Sequence, residues 1–400
     1  MRILGLAAAG FTLFAWGQPD PSAVLARARE RAKTAAAGLS HYACSQTVQR
    51  ETYKPRHGNP FAEDRKKKCQ EGSPDQQALA RRDRVRWEVT VDEGKELFSW
   101  PGESRTEQGG AYALAADGLV TTGDFAAFLT DVFQRQDIRF VRWEGKTPEN
   151  IAVYRYAIPA SESQYAMDTR RGKRTRMAYG GEVWVDSQTG DPRRLTVAVD
   201  RAPKGTGTCR LETTISYGRV EKDWLRPVET RVEMWEEDWT RYVNRTTFTA
   251  CRTFGSESVL RTDLPPDTAP EVRQDRVPDG LRARMRLRQA ITAEKAAAGD
   301  AVEAELTSDV RDASGHVAAA AGTVVRGRIV RATHTAWPSW YFVLALHFPG
   351  FRPASSSTSK RELATDWEKK HGAGVYLITG EKLTTGVRFE TEWTTSTGQP

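Results

Sequence analysis

The six histidines are the side chains best suited to acid-base or metal chemistry, and their spacing does not support either. They are His41, His57, His316, His334, His347 and His371. None falls in an HExxH motif or pairs with another at the spacing of a metal site, and the chain has no GxSxG nucleophile motif. The histidines therefore predict neither a metal site nor a catalytic centre.

A glycine-rich segment near the C-terminal end has a faint likeness to a phosphate-binding loop. It reads GVYLITGEKLTTG over residues 374–386. Five residues separate Gly374 from Gly380, and a glutamate precedes Lys382, so the GK[ST] signature is missing. A strand followed by a turn is the better prediction.

An acidic cluster is the remaining candidate for metal or acid-base chemistry. It consists of Glu233, Glu236, Glu237 and Asp238. These residues crowd an expected hairpin turn, where a solvated patch is the simpler interpretation. We therefore expect no enzymatic activity, no cofactor and no bound metal.

The chain has four cysteines, Cys44, Cys69, Cys209 and Cys251. In an exported protein they predict two disulfides, because oxidising compartments favour the bonded form. The shortest loops pair Cys44 with Cys69 and Cys209 with Cys251, but all three connectivities stay open. No CxxC spacing is present, which argues against zinc.

A short apolar stripe is the strongest candidate for ligand binding. In GDFAAFLTDVFQRQ the apolar residues fall at i, i+3, i+4, i+7 and i+8, which predicts one face of a helix capped by Thr122 or Asp124. The stripe comprises Phe125, Phe128, Leu129, Val132 and Phe133. It could line a cavity for the acyl chain of a lipid or lipoprotein, or it could be ordinary core packing.

Two basic loops could contact phospholipid or other anionic headgroups. The candidate contacts are Arg65, Lys66, Lys67, Lys68, Arg170, Arg171, Lys173 and Arg174. The net charge of +7 suits an anionic envelope but is also ordinary for a soluble exported protein, so plain solvated loops are the alternative. We expect no nucleic-acid binding, since no aromatic platform accompanies these charges.

A third charged feature is the segment LRARMRLRQ, in which four arginines between Arg282 and Arg288 alternate with apolar residues. Strict alternation predicts a strand with the arginines on one face. They could dock an acidic partner, but pairing with Glu303 and Glu305 on a neighbouring strand is the simpler prediction.

The N-terminal residues predict where the protein works. A short charged start, the apolar run ILGLAAAGFTLFAW and a small-x-small site predict a cleaved Sec-type signal peptide over residues 1–17. The first cysteine is Cys44, so no lipobox follows the apolar run. The later apolar run WYFVLALHF is too short for a membrane helix and predicts a buried strand. We expect a periplasmic or secreted protein with no transmembrane span after cleavage.

The elements that must position these residues are mostly strands. A helix is predicted over residues 22–37, with a glycine just beyond it. Three long strands, CRLETTISYGRV, LRPVETRVEMW and RYVNRTTFTAC, are linked by short polar turns. In a simple meander of these strands Cys209 and Cys251 lie at opposite ends of the sheet, so either that pairing or the meander is wrong.

A proline-rich segment divides the chain. LPPDTAPEVRQDRVP has no periodicity and predicts an extended linker over residues 263–280. The expected domains are therefore residues 18–262 and residues 281–400. Alternating strands in the second domain predict a small antiparallel β-barrel.

The hairpin VWVDSQTGDPRRL, together with an N-terminal helix, antiparallel strands and one helix with a broad apolar stripe, resembles the lipoprotein-carrier (LolA-like) superfamily. The resemblance covers roughly residues 20–262. It implies an antiparallel half-open barrel that encloses a helix and an apolar cavity. The cysteines, the basic insertion at residues 56–70 and the second domain depart from that family. The segment AAGTVVRGRI is weakly similar to small barrels of envelope proteins.

The sequence therefore predicts a mainly β (α+β) protein with two β domains. Our first hypothesis is a non-enzymatic envelope protein that binds or carries an apolar, lipid-like ligand in its half-barrel. The alternative is an envelope scaffold whose half-barrel is packed and ligand-free and which binds envelope protein partners. A carrier must leave the inner face of the sheet partly unfilled, whereas a scaffold buries the stripe completely.

Overall fold

The protein is described from a computed structural model. The described residues are 19–39, 41–56, 76–92, 95–103, 125–145, 150–168, 173–200, 202–220, 224–253, 277–337, 339–354, 361–380, 383–386 and 388–396. The predicted signal peptide, residues 1–17, lies outside them. The domain boundaries at residues 262 and 281 stay predictions, because residues 254–276 also lie outside the described part.

Three α-helices, one 3-10 helix (Arg361–Leu363) and 21 strands are described. The helices are α1 (Pro21–Gly38), α2 (Phe125–Phe133) and α3 (Asp366–Lys370). The strands of the N-terminal part are β1 (His41–Pro55), β2 (Gln77–Asp92), β3 (Lys95–Ser99), β4 (Arg139–Glu144), β5 (Ile151–Ile158), β6 (Ala166–Asp168), β7 (Arg174–Arg176), β8 (Tyr179–Asp186), β9 (Pro192–Val199), β10 (Thr208–Val220), β11 (Trp224–Glu236) and β12 (Arg241–Thr253). The remaining strands are β13 (Arg282–Leu287), β14 (Ala301–Leu306), β15 (Val310–Arg311), β16 (Val317–Ala319), β17 (Val324–Thr335), β18 (Tyr341–His347), β19 (Phe351–Pro353), β20 (Gly374–Ile378) and β21 (Glu390–Thr395).

Ten strands form one antiparallel array, which we call the half-barrel. Their order is β3, β2, β1, β12, β11, β10, β9, β8, β5 and β4. Within the described residues the outer strands β3 and β4 do not pair with each other, so the array is open there. Both α1 and α2 contribute buried residues to the hydrophobic cluster shared with these strands. The predicted mainly β, antiparallel fold that encloses a helix is confirmed.

Helix α1 begins one residue before the predicted start. Ser22 donates its backbone N–H to the Asp20 carboxylate at 3.0 Å, which satisfies a free amide of the first turn. Its buried residues are Val24, Ala28, Ala32 and Ala35, spaced at i, i+4, i+8 and i+11. Small alanine side chains let the helix lie close to the sheet.

The hairpin that carries the family resemblance lies against α1. It is formed by β8 and β9, and Arg27 donates to the Ser187 carbonyl oxygen in its turn at 2.7 Å. Gly190 in this turn has φ +76°, and a Cβ there would lie 2.8 Å from the Cβ of Arg27. Glycine at this position therefore permits both the turn and the close approach of the helix.

The predicted meander of three long strands is correct, and the shortest-loop disulfides are wrong. β10 pairs with β11, and β11 with β12, all antiparallel. β12 then pairs with β1, which places Cys251 beside Cys44, and these two residues form a disulfide across 207 residues of chain. Cys209 is also disulfide-bonded, and Cys69 lies outside the described residues. The spacing of the cysteines in the sequence does not predict this bond, because β1 and β12 are far apart in sequence and become neighbours only in the folded sheet.

Peptide mapping without reduction is expected to recover a peptide that links Cys44 to Cys251, and no free thiol. The reason is geometric, since the two Cα atoms lie 4.1 Å apart on paired strands. Mass spectrometry of a tryptic digest, before and after reduction, makes the measurement. A Cys44–Cys69 peptide, or two titratable thiols in the native protein, would contradict it.

The C-terminal strands form a second antiparallel array. Their order is β20, β18, β17, β14, β13, β21 and β19. Phe342, Phe348 and Trp393 are completely buried in its core. WYFVLALHF supplies β18, a buried strand as predicted, and the glycine-rich segment GVYLITGEKLTTG begins with β20, again a strand as predicted.

The arginine ladder of β13 pairs with acidic residues, as predicted. Arg288 lies 2.9 Å from Glu303, and Arg286 lies 3.6 Å from Glu305. Arg284 lies 3.3 Å from Glu392 on β21, the other neighbouring strand. All of these pairs are solvent-exposed, so they specify strand register more than they add stability.

The two arrays join along β2. Its residues 81–83 pair with residues 333–335 of β17. Farther along β2, Arg86 donates its backbone N–H to the Ala298 carbonyl oxygen at 2.6 Å, and Ala298 donates to the Arg84 carbonyl oxygen at 2.8 Å. Ala298 is buried in the half-barrel cluster. Backbone hydrogen bonds and apolar packing therefore both hold the arrays together.

Candidate ligand site in the half-barrel

The structure brings all five stripe residues together on the buried face of α2. Phe125, Phe128, Leu129, Val132 and Phe133 are between 0% and 6% exposed. Phe125 contacts Phe248 edge to face at 5.4 Å between ring centroids, and Phe128 contacts Tyr165 in the same way at 5.3 Å. The stripe is therefore packed against the inner face of the sheet.

Two hydrogen bonds hold α2 in place, one of them to strand β8. Asp131 accepts a hydrogen bond from the Tyr179 hydroxyl at 3.0 Å and another from the Gln164 side chain at 3.3 Å. Burial first, and the nearby Asp131 carboxylate second, raise the pKa of Tyr179 well above its ordinary value. Tyr179 thus stays protonated and able to donate throughout the neutral range.

A different part of the inner face carries polar atoms without partners. The hydroxyls of Tyr42 and Tyr217 and the indole Nε1 of Trp224 are buried, and none has a hydrogen-bond partner within the described part of the chain. We call these three residues the polar trio. Most buried polar groups in native proteins are paired, and each unpaired one costs about 1–3 kcal/mol. Three unpaired polar atoms in one part of the core therefore need a functional explanation.

The trio lies near the C-terminal end of α1. The rings of Tyr42 and Trp224 are 6.1 Å apart, and a Cβ on Gly38 of α1 would lie 3.2 Å from the Trp224 indole nitrogen. Burial raises the pKa of Tyr217, and Tyr42 raises it further. Tyr217 in turn raises the pKa of Tyr156, after burial. The tyrosines are thus electrostatic neighbours that remain neutral donors.

The sequence patterns did not identify the trio. Tyr217 alternates with half-buried residues on β10, which predicts burial, whereas Tyr42 on β1 is followed by the buried Ala43. Alternation carries no information about whether a buried hydroxyl has a partner. Only the curvature that brings β1, β10 and β11 around one interior reveals the cluster.

The trio can bind a ligand that has hydrogen-bond acceptors. A tyrosine hydroxyl donates or accepts, whereas an indole N–H only donates. Apolar residues of the same cluster surround the three atoms. The combination suits an ester or amide group attached to a hydrocarbon chain, because such a group satisfies the donors without placing a free charge in the core.

The other predicted site residues lie elsewhere or outside the described chain. Arg65, Lys66, Lys67, Lys68, Arg170 and Arg171 are outside the described residues. Lys173 and Arg174 are exposed at the start of β7. Contact of the basic loops with anionic headgroups therefore stays a prediction.

The acidic cluster lies at the hairpin between β11 and β12. Glu233 accepts from Arg231 at 2.7 Å, and Asp238 lies 3.4 Å from Lys54. Across the described residues, no group of three or more His, Cys, Asp or Glu side chains is arranged to hold a metal ion. No helix in the described part of the chain is long and apolar enough to cross a membrane.

No family model matches the sequence, and no curated protein matches it. Among solved structures, the fold is similar to a LolA superfamily protein from Nitrosomonas europaea, at 12% identity over 60% of this chain and 95% of that one, with a TM-score of 0.26. A putative outer membrane lipoprotein-sorting protein domain from Vibrio parahaemolyticus matches at 12% identity over 62% of this chain and 96% of that one, with a TM-score of 0.27. A DUF1329 family protein from Desulfovibrio piger matches at 10% identity over 60% of this chain and 96% of that one, also with a TM-score of 0.27. The first two of these structures carry the LolA or lipoprotein-sorting name of the family that the sequence resembles.

Proposed function

We propose that this chain is a non-enzymatic, exported protein that binds an apolar, lipid-like ligand inside its half-barrel. The polar trio carries the proposal. A half-barrel that served only as a packed scaffold gains nothing from three buried donors without acceptors, which together cost several kcal/mol. A ligand with an acyl chain and an ester or amide group offsets that cost.

The bond between Cys44 and Cys251 supports the export part of the proposal. Cys44 is buried, and the bond joins β1 to β12, with a sequence separation of 207 between the two cysteines. Structural disulfides of this kind persist in oxidising compartments such as the periplasm. The predicted signal peptide at residues 1–17 is consistent with the same location.

One observation favours the alternative function. All five stripe residues are buried, as expected for a packed half-barrel that acts as a scaffold for envelope proteins. In the carrier proposal, α2 covers the inner face as a lid, and the ligand enters when the helix moves away from Tyr165 and Phe248. The two functions therefore differ in whether the purified protein contains lipid.

Mass spectrometry of an organic extract tests the proposal. The protein is purified from the periplasm without detergent, and near-stoichiometric lipid is expected. Tyr217→Phe is expected to reduce the lipid content, because it removes one of the three donors. Its effect on the ligand-free protein is expected to stay within about 1 kcal/mol of neutral, because the lost hydroxyl has no partner.

Tyr156→Phe is the matched control in the same core. Its hydroxyl donates to the Thr196 carbonyl oxygen at 2.7 Å, so its removal is expected to cost about 1 kcal/mol of stability and to leave the lipid content unchanged. Folded, monodisperse wild-type protein with an empty extract would refute the carrier function and support the scaffold.

A further inference from the structure

A buried arginine without a counter-ion lies on the same strand as Trp224 of the polar trio. Arg226 of β11 is 8% exposed. Within the described residues it forms no ion pair, and burial alone lowers the pKa of its guanidinium below the ordinary value. Arginine keeps its charge at neutral pH, and buried charges in proteins are paired because their removal from water is costly. Arg226 therefore lacks the negative charge that would stabilise it in this position.

The hydrogen bonds of Arg226 leave part of its guanidinium without an acceptor. Its Nη1 donates to the carbonyl oxygens of Pro227 at 3.0 Å and Phe248 at 3.2 Å. Its Nε is buried and has no hydrogen-bond partner in the described part of the chain. Both acceptors of Nη1 are neutral, so neither balances the charge. A carboxylate or phosphate that binds the edge containing Nε supplies the missing acceptor and the missing charge together.

Arg226 lies where β11 separates from β12. The described pairing of these strands ends at Glu229 and Thr247, and Arg226 lies beyond that end. Here the Arg226 side chain connects the two strands through the Phe248 carbonyl oxygen. The wall of the half-barrel is thus bridged by a side chain at this point. A polar head group can lie in such a wall while an acyl chain lies inside.

Arg226 is adjacent to both parts of the proposed ligand site. It points to the same side of β11 as Trp224, because the two residues are separated by one residue of a strand. On that side the Trp224 ring lies 6.1 Å from the ring of Tyr42. Their positions on the strand are about 7 Å apart, a distance that a linker of a few carbon atoms spans. Phe248, which accepts from Arg226, packs on Phe125 of α2 at 5.4 Å.

We propose that Arg226 binds the anionic head group of the half-barrel ligand, so that the ligand is an anionic lipid. This inference rests on the proposed function, because it assigns a charge to the same ligand. The polar trio binds the ester or amide group, and Arg226 binds a carboxylate or phosphate joined to that group by a short linker. Both head groups are oxyanions, and the free edge of Arg226 suits either. A neutral lipid leaves the buried guanidinium unpaired.

Competition between matched probes tests the inference. One pair is lauroyl lysophosphatidic acid and monolauroylglycerol, which share a chain and an ester and differ in the phosphate. The other pair is N-lauroylglycine and its methyl ester, which differ in the free carboxylate. The delipidated full chain is equilibrated with each pair at neutral pH, and mass spectrometry measures the bound probes. The anionic member of at least one pair is expected to bind about 10-fold or more tightly, and the pair with the larger ratio identifies the head group.

Two substitutions of Arg226 separate its charge from a structural role. Arg226→Gln is expected to remove the preference for the anionic member and to leave binding of the neutral member unchanged. Its unfolding midpoint without ligand is expected to equal or exceed that of the wild type, because a buried unpaired charge is lost. A purely structural role predicts a lower midpoint and an unchanged preference. Arg226→Lys keeps the charge and is expected to retain a preference for the anionic member, which tests the charge even if Arg226→Gln does not fold.

Arg231→Gln is the matched control on the same strand. The Arg231 side chain is 43% exposed and pairs with Glu233 at 2.7 Å, so the wild-type preference is expected. The inference is overturned if both members of each pair bind equally to the wild type, if Arg226→Gln keeps the preference, or if Arg231→Gln loses it. Bound neutral probe in any of these outcomes leaves the half-barrel function standing. If the wild type binds no probe at all, both proposals are overturned.

Discussion

A Phe128→Asp substitution is expected to lower the free energy of unfolding by about 4 kcal/mol or more. Phe128 is 6% exposed and packs edge to face on both Tyr165 and Tyr179. The substitution removes these ring contacts and places a carboxylate where the neighbouring tyrosine hydroxyl of Tyr179 is already bonded to Asp131. The added carboxylate therefore repels Asp131 and finds the Tyr179 hydroxyl already engaged.

Urea unfolding followed by tryptophan fluorescence measures this effect. Phe140→Asp is the matched control, because Phe140 is 38% exposed on β4, and its replacement is expected to cost about 1 kcal/mol or less. A loss of about 4 kcal/mol is a large part of the 5–15 kcal/mol that stabilises a typical domain. Equal unfolding midpoints for wild type and Phe128→Asp would refute the placement of α2 on the sheet.

The elements that local periodicity encodes could be predicted from the sequence. The stripe from Phe125 to Phe133 repeats with the period of a helix, and the residues of β13 alternate with the period of a strand. The glutamates opposite Arg286 and Arg288 were also predictable, because opposite charges favour direct pairing across strands. Each of these features depends on residues that are close in sequence or joined by a short connection.

The features that depend on pairing between strands far apart in sequence could not be predicted. The register of β1 with β12 sets the disulfide partner of Cys44, and about 200 residues separate the two strands. The same long-range strand pairing gathers Tyr42, Tyr217 and Trp224 around one interior. Side-chain alternation specifies which face of a strand is buried, but it does not specify which distant strand is the neighbour. The candidate ligand site is therefore a consequence of topology.

Gly299→Ala is expected to lower the free energy of unfolding by about 3 kcal/mol or more, through the junction of the two arrays. Gly299 has φ +100°, and a Cβ there would lie 1.9 Å from the Arg86 carbonyl oxygen. The opposing atom belongs to the backbone of β2, so no side-chain rotation relieves the clash. Gly299 also donates its N–H to the Ile329 carbonyl oxygen at 2.7 Å, so the residue cannot move away from β2 without weakening its contact with β17.

Gly315→Ala separates the contribution of the clash from that of backbone conformation. Gly315 has φ +85°, but nothing lies within 4 Å of the position of its Cβ, so only the cost of a left-handed alanine, about 1 kcal/mol, is expected. Thermal and urea unfolding of both variants measure the difference. If the two substitutions cost the same, the backbones of β2 and residue 299 are not in close contact. If Gly299→Ala alone is strongly destabilising, the close approach of residue 299 to β2 is a structural link between the two arrays.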